Sequence, residues 1–339
     1  MHQEQRVIRM GMTVLVCALA LRLVSGLVGP VAAFLAKPEI AGFLVYLETG
    51  NVIKPTILPS ETQPIPPETQ ETQPVPWTET VQMEAGTPLF APEDAQLVQV
   101  RNTSGCSVDL EELLLSELNL ETGETGPAVL ILHTHGSESY TQTNQLSYTP
   151  SGEYRTLDAG HNMLRVGEAL KAALEARGIS VIHDRTLHDY PNYNDAYINS
   201  RETVASYLQE YPSICLVIDL HRDAADTGTG QLKTAVSVNN QTLCQLMMVV
   251  GTGGTDRANS LWQKNMALAV QLQARMEQLY PGICRPISLR KERFNQDLSN
   301  GALLIEVGAA GDTLEQAVEA AEALAEGLAD LMLRAGSTR

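Results

Sequence analysis

Pro127-Ala128-Val129-Leu130-Ile131-Leu132-His133-Thr134-His135-Gly136-Ser137-Glu138-Ser139-Tyr140 is the stretch that decides the fold. Its continuous apolar run reads as a buried strand, covered on both faces as parallel strands are. The run ends at a Gly-containing turn that carries His135 and Glu138, three residues apart. Imidazole nitrogen and carboxylate oxygen are zinc ligands, and a catalytic zinc uses three protein ligands and keeps one open position. Open α/β sheets place their sites at the carboxyl ends of strands. A plain surface loop that happens to carry His and Glu is the alternative on this stretch alone.

Two further apolar runs end in the same way. Ile214-Cys215-Leu216-Val217-Ile218-Asp219-Leu220 leads to His221, with Asp219 and Asp223 two residues to either side as acceptors able to orient an imidazole. Ala302-Leu303-Leu304-Ile305-Glu306-Val307-Gly308 holds a carboxylate inside an apolar run, which is costly unless it is paired or used. Glu306 therefore either meets a buried arginine such as Arg222 or acts as a base. A His-x-x-Glu pair, a distant His and a later lone Glu follow the ligand order of a large class of zinc hydrolases. The expectation is a Zn2+ site with His135, Glu138 and His221 as ligands and Glu306 as the catalytic group.

Helical patterns separate these strands. Met163, Val166, Leu170 and Leu174 mark a helix over 162–177 that Gly178 ends. Further helices are expected over 108–118, 194–208 and 261–280, and one starting at the capping-box pattern Thr313-Leu-Glu-Gln316. Strands are expected over 179–182, 232–238 and 243–250, the last two as a hairpin across Asn239-Asn240. Tyr140 to Asp158 is a long polar loop, a length that often signals function. The fold class that results is α/β, a three-layer sandwich around a mostly parallel sheet.

The chain ahead of this domain divides by composition. Residues 1–9 read as a cytoplasmic tip, and 10–36 as a transmembrane anchor preceded by Arg6 and Arg9. A cleaved signal peptide ending near Val31-Ala32-Ala33 is the alternative. Residues 37–96 read as an interfacial segment and a tether rich in Pro, Glu, Thr and Gln, too poor in aliphatic side chains to fold. Residues 97–339 are the catalytic domain, which the positive-inside rule places outside the cytoplasm. A net charge of −17, from 40 acidic and 23 basic residues, argues against nucleic acid as a partner. Five cysteines without a C-x-x-C pair give neither a disulfide framework nor a structural zinc site.

The segments His133-Thr-His-Gly-Ser-Glu-Ser-Tyr140, Tyr193-Asn-Asp-Ala-Tyr-Ile-Asn-Ser-Arg201, Asp219-Leu-His-Arg-Asp223, Asn295-Gln-Asp-Leu-Ser299 and Leu304-Ile-Glu-Val-Gly308 resemble, in order and spacing, the stage II sporulation protein P family. The resemblance covers roughly residues 105–335. It departs at Asn259-Ser-Leu-Trp262, where the family has Asn-Pro-x-Trp.

The resemblance implies a single-pass membrane protein of the sporulation septum with the fold of zinc-dependent N-acetylmuramoyl-L-alanine amidases. It implies cleavage of the muramoyl–L-alanine amide of peptidoglycan, with stem-peptide cross-links also attributed to the family. It further implies a lytic transglycosylase resembling stage II sporulation protein D as partner. By motif, His135, Glu138 and His221 take the ligand roles and Glu306 the base role. His133 either replaces His135 or supports it. Asp219, Arg222, Arg201, Asn295 and Asp297 are candidate supporting or substrate residues. Two other readings use the same residues or none of them: a zinc carboxypeptidase on cell-wall peptides, with Arg222, Arg285, Arg290 or Arg293 receiving a terminal carboxylate, or a non-catalytic wall-binding scaffold.

Overall fold

The computed structural model of the protein describes residues 89–118, 120, 126–228, 230–238, 240–254 and 261–335. The cytoplasmic tip, the anchor and nearly all of the tether lie outside the described residues, as do Asn259 and Ser260 of the Asn259–Trp262 departure. Among the described residues no helix is long and apolar enough to cross a membrane.

The folded part reaches back to Phe90, which is buried, and to a 3-10 turn over Pro92–Leu97, so it starts earlier than the expected boundary at residue 97. In chain order the elements are β1 (Val100–Asn102), α1 (Leu110–Leu114), β2 (Val129–Leu132), α2 (Met163–Glu175), β3 (Val181–His183), α3 (Ala196–Glu210) and β4 (Leu216–Asp223). They continue with β5 (Ala235–Val238), β6 (Gln241–Cys244), β7 (Leu246–Gly251), α4 (Trp262–Leu279), β8 (Ile287–Arg290), β9 (Ala302–Ala309) and α5 (Leu314–Ala335).

Seven strands form one sheet in the order β1-β8-β7-β9-β4-β2-β3. Every pairing is parallel except β7 with β9, so the sheet is mixed α/β and mostly parallel. The strand that leads into His135 and Glu138 and the strands that carry His221 and Glu306 are thus immediate neighbours, in the order β2-β4-β9 with β4 between.

Period-two alternation assigns the two faces. Val129, Ile131, Leu216, Ile218 and Leu220 point into the large core shared with α2, α4 and α5. Leu130, Leu132 and Val217 point to the other face, where Val204 of α3 covers them in a smaller cluster. The sheet therefore lies between two unequal helical layers. Fully burying one side chain such as Ile218 stabilises the fold by about 1.5–3 kcal/mol, so the thick layer carries most of the stability.

Local chemistry explains the helix ends. Asn162 caps α2 by accepting from Leu164 N at 3.0 Å, and Gly178 at φ 80° turns the chain out of it. The Thr313/Gln316 box closes both ways, Thr313 N donating to Gln316 Oε1 at 3.0 Å and Gln316 N to Thr313 Oγ1 at 3.4 Å.

Three details differ from the sequence reading. The helix expected over 108–118 is the short α1, started by Asp109, whose carboxylate accepts from Glu112 N. The expected 243–250 strand is two strands, because Leu246 N leaves the hairpin to donate to Ile283 O. The hairpin itself, β5 with β6, forms a separate two-stranded sheet. Finally, β4 runs on to Asp223, so His221 sits within the strand rather than after it.

Candidate active site

Parity places the site. Val217 faces the thin α3 layer, so Asp219 and His221 do as well, and the parallel register His221↔Glu306 sets Glu306 beside His221 on that face. β2 ends one residue before His133, and the turn that follows brings His135 and Glu138 over the end of β4. His135 and His221 meet edge to face with ring centroids 5.3 Å apart. Glu138 Oε2 lies 3.7 Å from His221 Nδ1. Asp219 Oδ1 lies 2.9 Å from His221 Nε2, but off the direction of a hydrogen bond, and that nitrogen is buried without a hydrogen-bond partner.

The charges are set by burial and by neighbours. Burial lifts the Glu138 carboxyl, but Arg222 and His221 more than reverse this and hold it at about 2. Asp219 is likewise lifted by burial and pulled down to about 2 by His221 and by its bonds from Thr134, whose N and Oγ1 donate at 2.7 and 2.6 Å. Burial disfavours a charged His221, yet Asp219 and Glu138 outweigh it and raise its pKa well above the ordinary imidazole value. His135, mainly through burial, falls to about 4. Burial pushes Glu306 up to about 8, against the pull of His221 and with help from Glu138 and Asp223.

His133 is fully engaged elsewhere. Its Nδ1 donates to Leu220 O at 3.0 Å, and its Nε2 faces His183 Nε2 at 2.9 Å. Gly167 of α2 leaves room for this histidine pair, since a Cβ there would stand 2.6 Å from both Nε2 atoms.

Arg222 does not reach Glu306 as a salt bridge. Its Nε donates to Ser139 O and its NH2 to Tyr154 O, and its NH1 lies 3.6 Å from Glu138 Oε1. Glu306 Oε2 remains buried and without a partner. Arg201 and Asp297 form a two-pronged pair at 2.8 and 2.9 Å that ties α3 to the loop after β8. Asn295, at φ 56° in the left-handed region, donates from Nδ2 to Tyr197 O at 2.8 Å. Arg201, Asn295 and Asp297 thus brace the α3 layer. The other arginines able to receive a terminal carboxylate already have acidic partners: Arg285 with Asp223, Arg290 with Glu292 and Arg293 with Asp297.

Four residues of this neighbourhood had no individual role in the sequence reading. Tyr193 stacks on His135 at 4.4 Å, Tyr197 meets it edge-on at 5.6 Å, and Arg155 and Asp189 lie behind the His135 turn. Tyr193 and Tyr197 stand four residues apart within one of the segments that carry the family resemblance.

Among the described residues no group of three or more His, Cys, Asp or Glu stands ready-arranged to hold a metal. The donor set nevertheless fits one in kind. His135 Nδ1, His221 Nε2 and Glu306 Oε2 are all buried and lack hydrogen-bond partners, and buried polar atoms are rarely left so without a use. Glu138 adds a carboxylate beside the two imidazoles.

Several known proteins are similar to this chain. The CwlD amidase from Clostridioides difficile, solved in complex with the GerS lipoprotein, overlays with a TM-score of 0.39 and 13% identity, over 62% of this chain and 100% of that one. The N-acetylmuramoyl-L-alanine amidase AmiC2 of Nostoc punctiforme gives 0.36 and 17%, over 62% and 97%. Stage II sporulation protein P of Bacillus subtilis (strain 168) is 27% identical over 209 residues, 58% of this chain and 49% of that protein, so the chain spans about half the length of this curated relative. The model of the family described as stage II sporulation protein P matches residues 54–329, most of the chain, and the protein belongs to that family.

Proposed function

We propose that this protein is a zinc-dependent N-acetylmuramoyl-L-alanine amidase that hydrolyses peptidoglycan at the sporulation septum. The observation that carries the reading is that His135 Nδ1, His221 Nε2 and Glu306 Oε2 are buried without hydrogen-bond partners, on or just beyond three adjacent strands, with Glu138 Oε2 3.7 Å from the His221 ring. Membership of the stage II sporulation protein P family supports the sporulation setting. His135, Glu138 and His221 would hold the metal. When bound, zinc supplies a Lewis acid that polarises a carbonyl and lowers the pKa of water from ~15.7 to ~7.

The chain's own residues do the rest. Glu306 takes a proton from the attacking water and returns it to the leaving amine. Asp219 sets a negative charge 2.9 Å from His221, and Thr134 holds Asp219 through two hydrogen bonds. Tyr193 and Tyr197 wall the site beside His135. The N-terminal anchor and tether read from the sequence would present this domain to the wall from the membrane, with a lytic transglycosylase acting on the same strands.

Digestion of purified cell wall tests the reaction. Release of new L-alanine amino groups is the expected result. Release of carboxy-terminal residues would indicate a carboxypeptidase, and no release a scaffold. For the metal, His221→Ala should lose nearly all zinc by elemental analysis, and full zinc content in that variant would remove His221 from the metal-holding set.

A further inference from the structure

We propose that Arg155 is a positioning residue that fixes two of the metal-holding side chains, His135 and Glu138, through one guanidinium. The proposal rests on the metal reading of the site given above and assigns a role to a residue outside its ligand set.

Arg155 belongs to the long polar loop after Tyr140, and the backbone brings it back against the turn that carries the site. Ser139 N donates to Tyr154 O at 2.9 Å and Thr156 N to Ser137 O at 2.8 Å, so residues 154–156 run antiparallel to 137–139. The guanidinium then bridges two buried carboxylates. NH1 donates to Asp189 Oδ2 at 2.8 Å, and NH2 reaches Glu138 Oε1 at 3.3 Å. Asp189 is itself anchored, accepting from Ser137 Oγ at 2.5 Å and, at 3.3 Å, from Ser137 N. The same guanidinium packs on the Tyr193 ring at 4.6 Å, and Tyr193 in turn stacks on His135 with 10° between ring planes.

Each contact settles one orientation. With Oε1 of Glu138 turned to Arg155 and Arg222, Oε2 is the oxygen left facing His221. With Tyr193 against its ring face and Tyr197 at its edge, the His135 imidazole is confined, and its Nδ1 stays unpartnered. A planar fork can serve two carboxylates and an aromatic ring together, whereas an ammonium is a single strongly hydrated point charge. An ordinary surface ion pair would do none of this, but both carboxylates here are buried and the Arg155 side chain is only 22% exposed. The rival role for Arg155 is competition, its positive charge withholding Glu138 from a cation. The two roles have opposite signs in metal affinity.

The test measures zinc affinity of the purified full-length chain by competition with a chromophoric chelator, together with the absorption spectrum of the cobalt(II)-substituted protein. Arg155→Gln and Arg155→Lys should each weaken zinc by about 10–100-fold, the usual cost of removing a partner that orients a ligand, and should alter the cobalt bands. Tyr193→Phe, which keeps the ring on His135, should bind zinc more tightly than Tyr193→Ser, which loses it. Tyr193 is half exposed, so its variants keep the test decisive where circular dichroism shows an Arg155 variant to be misfolded: equal affinity of the Phe and Ser variants would then overturn the proposal. Unchanged or tighter zinc binding by folded Arg155→Gln would overturn it as well, leaving the metal reading intact. A wild-type chain that binds neither zinc nor cobalt would instead defeat the metal reading, and this proposal with it.

Discussion

Glu306→Gln separates chemistry from folding at the site. Glu306 stands next to His221 in the β4–β9 ladder, and its Oε2 is buried with no partner. Glutamine keeps the shape and removes the ability to hold and return a proton. One positioned acid/base group contributes about 10²–10⁴ in rate, which at ~1.36 kcal/mol per decade is about 2.7–5.4 kcal/mol of barrier. Stability should move far less. Glu306 Oε2 has no hydrogen-bond partner and Glu306 forms no ion pair among the described residues, so the substitution removes neither. The unfolding free energy should stay within ~1 kcal/mol of the wild type, as for substitutions that break no buried partner. The assay is release of L-alanine amino groups from purified wall, read beside zinc content and melting temperature of the same preparation. Turnover within tenfold of wild type would refute Glu306 as the proton carrier. Loss of zinc along with turnover would make Glu306 a metal holder and displace Glu138 from that role.

Two further outcomes follow from packing and charge. Gly167→Ala would ordinarily favour a helix by about 0.5–1 kcal/mol, but its Cβ would stand 2.6 Å from the Nε2 atoms of both His133 and His183. Overpacking of about 1–3 kcal/mol should win, so urea denaturation should show net destabilisation; a more stable variant would mean that the histidine pair yields freely. Asp297→Asn should cost ~1 kcal/mol at pH 7, as for a well-formed but part-exposed pair. Burial raises the Asp297 carboxyl, but the hydrogen bonds and charge of Arg201, with Arg293, bring it below the usual value. A depressed carboxyl stabilises above its unfolded pKa near ~3.9 and loses that contribution as pH falls through the folded value, so the two stability curves should converge in acid. A gap that persists there would mean that the pair's charge is not what Asp297 contributes.

What was legible in the sequence was what periodicity encodes. His221 and Glu306 stand out because each interrupts an apolar run, and an interruption is visible one residue at a time. Their adjacency in register was not visible, because an apolar strand looks alike wherever it sits in the sheet and whichever way it runs. The reversal of β7 against β9 and the break at Gln245 were hidden for that reason: both depend on which backbone groups Leu246 meets, not on its side chain. Arg155 and Asp189 were invisible for a different cause. They lie in polar segments without period, and their meaning comes from a contact between residues 34 apart in the chain. The sequence preferred His135 and left His133 as its replacement or support; the neighbours of each ring, Leu220 and His183 for His133 and the two tyrosines for His135, now differ.

The position of β1 has a mechanical consequence. It is an edge strand of three residues, paired among the described residues only with β8, through Val100↔Ile287, Arg101↔Ser288 and Asn102↔Leu289. Tension applied through the chain ahead of residue 89 enters the domain at the 3-10 turn and this strand. Short edge pairings open at far lower free energy than a central ladder. Under load the domain would therefore shed β1 first, while β8 and β7 stand between the pulled edge and β9, β4 and β2, which carry Glu306 and His221 and lead into His135.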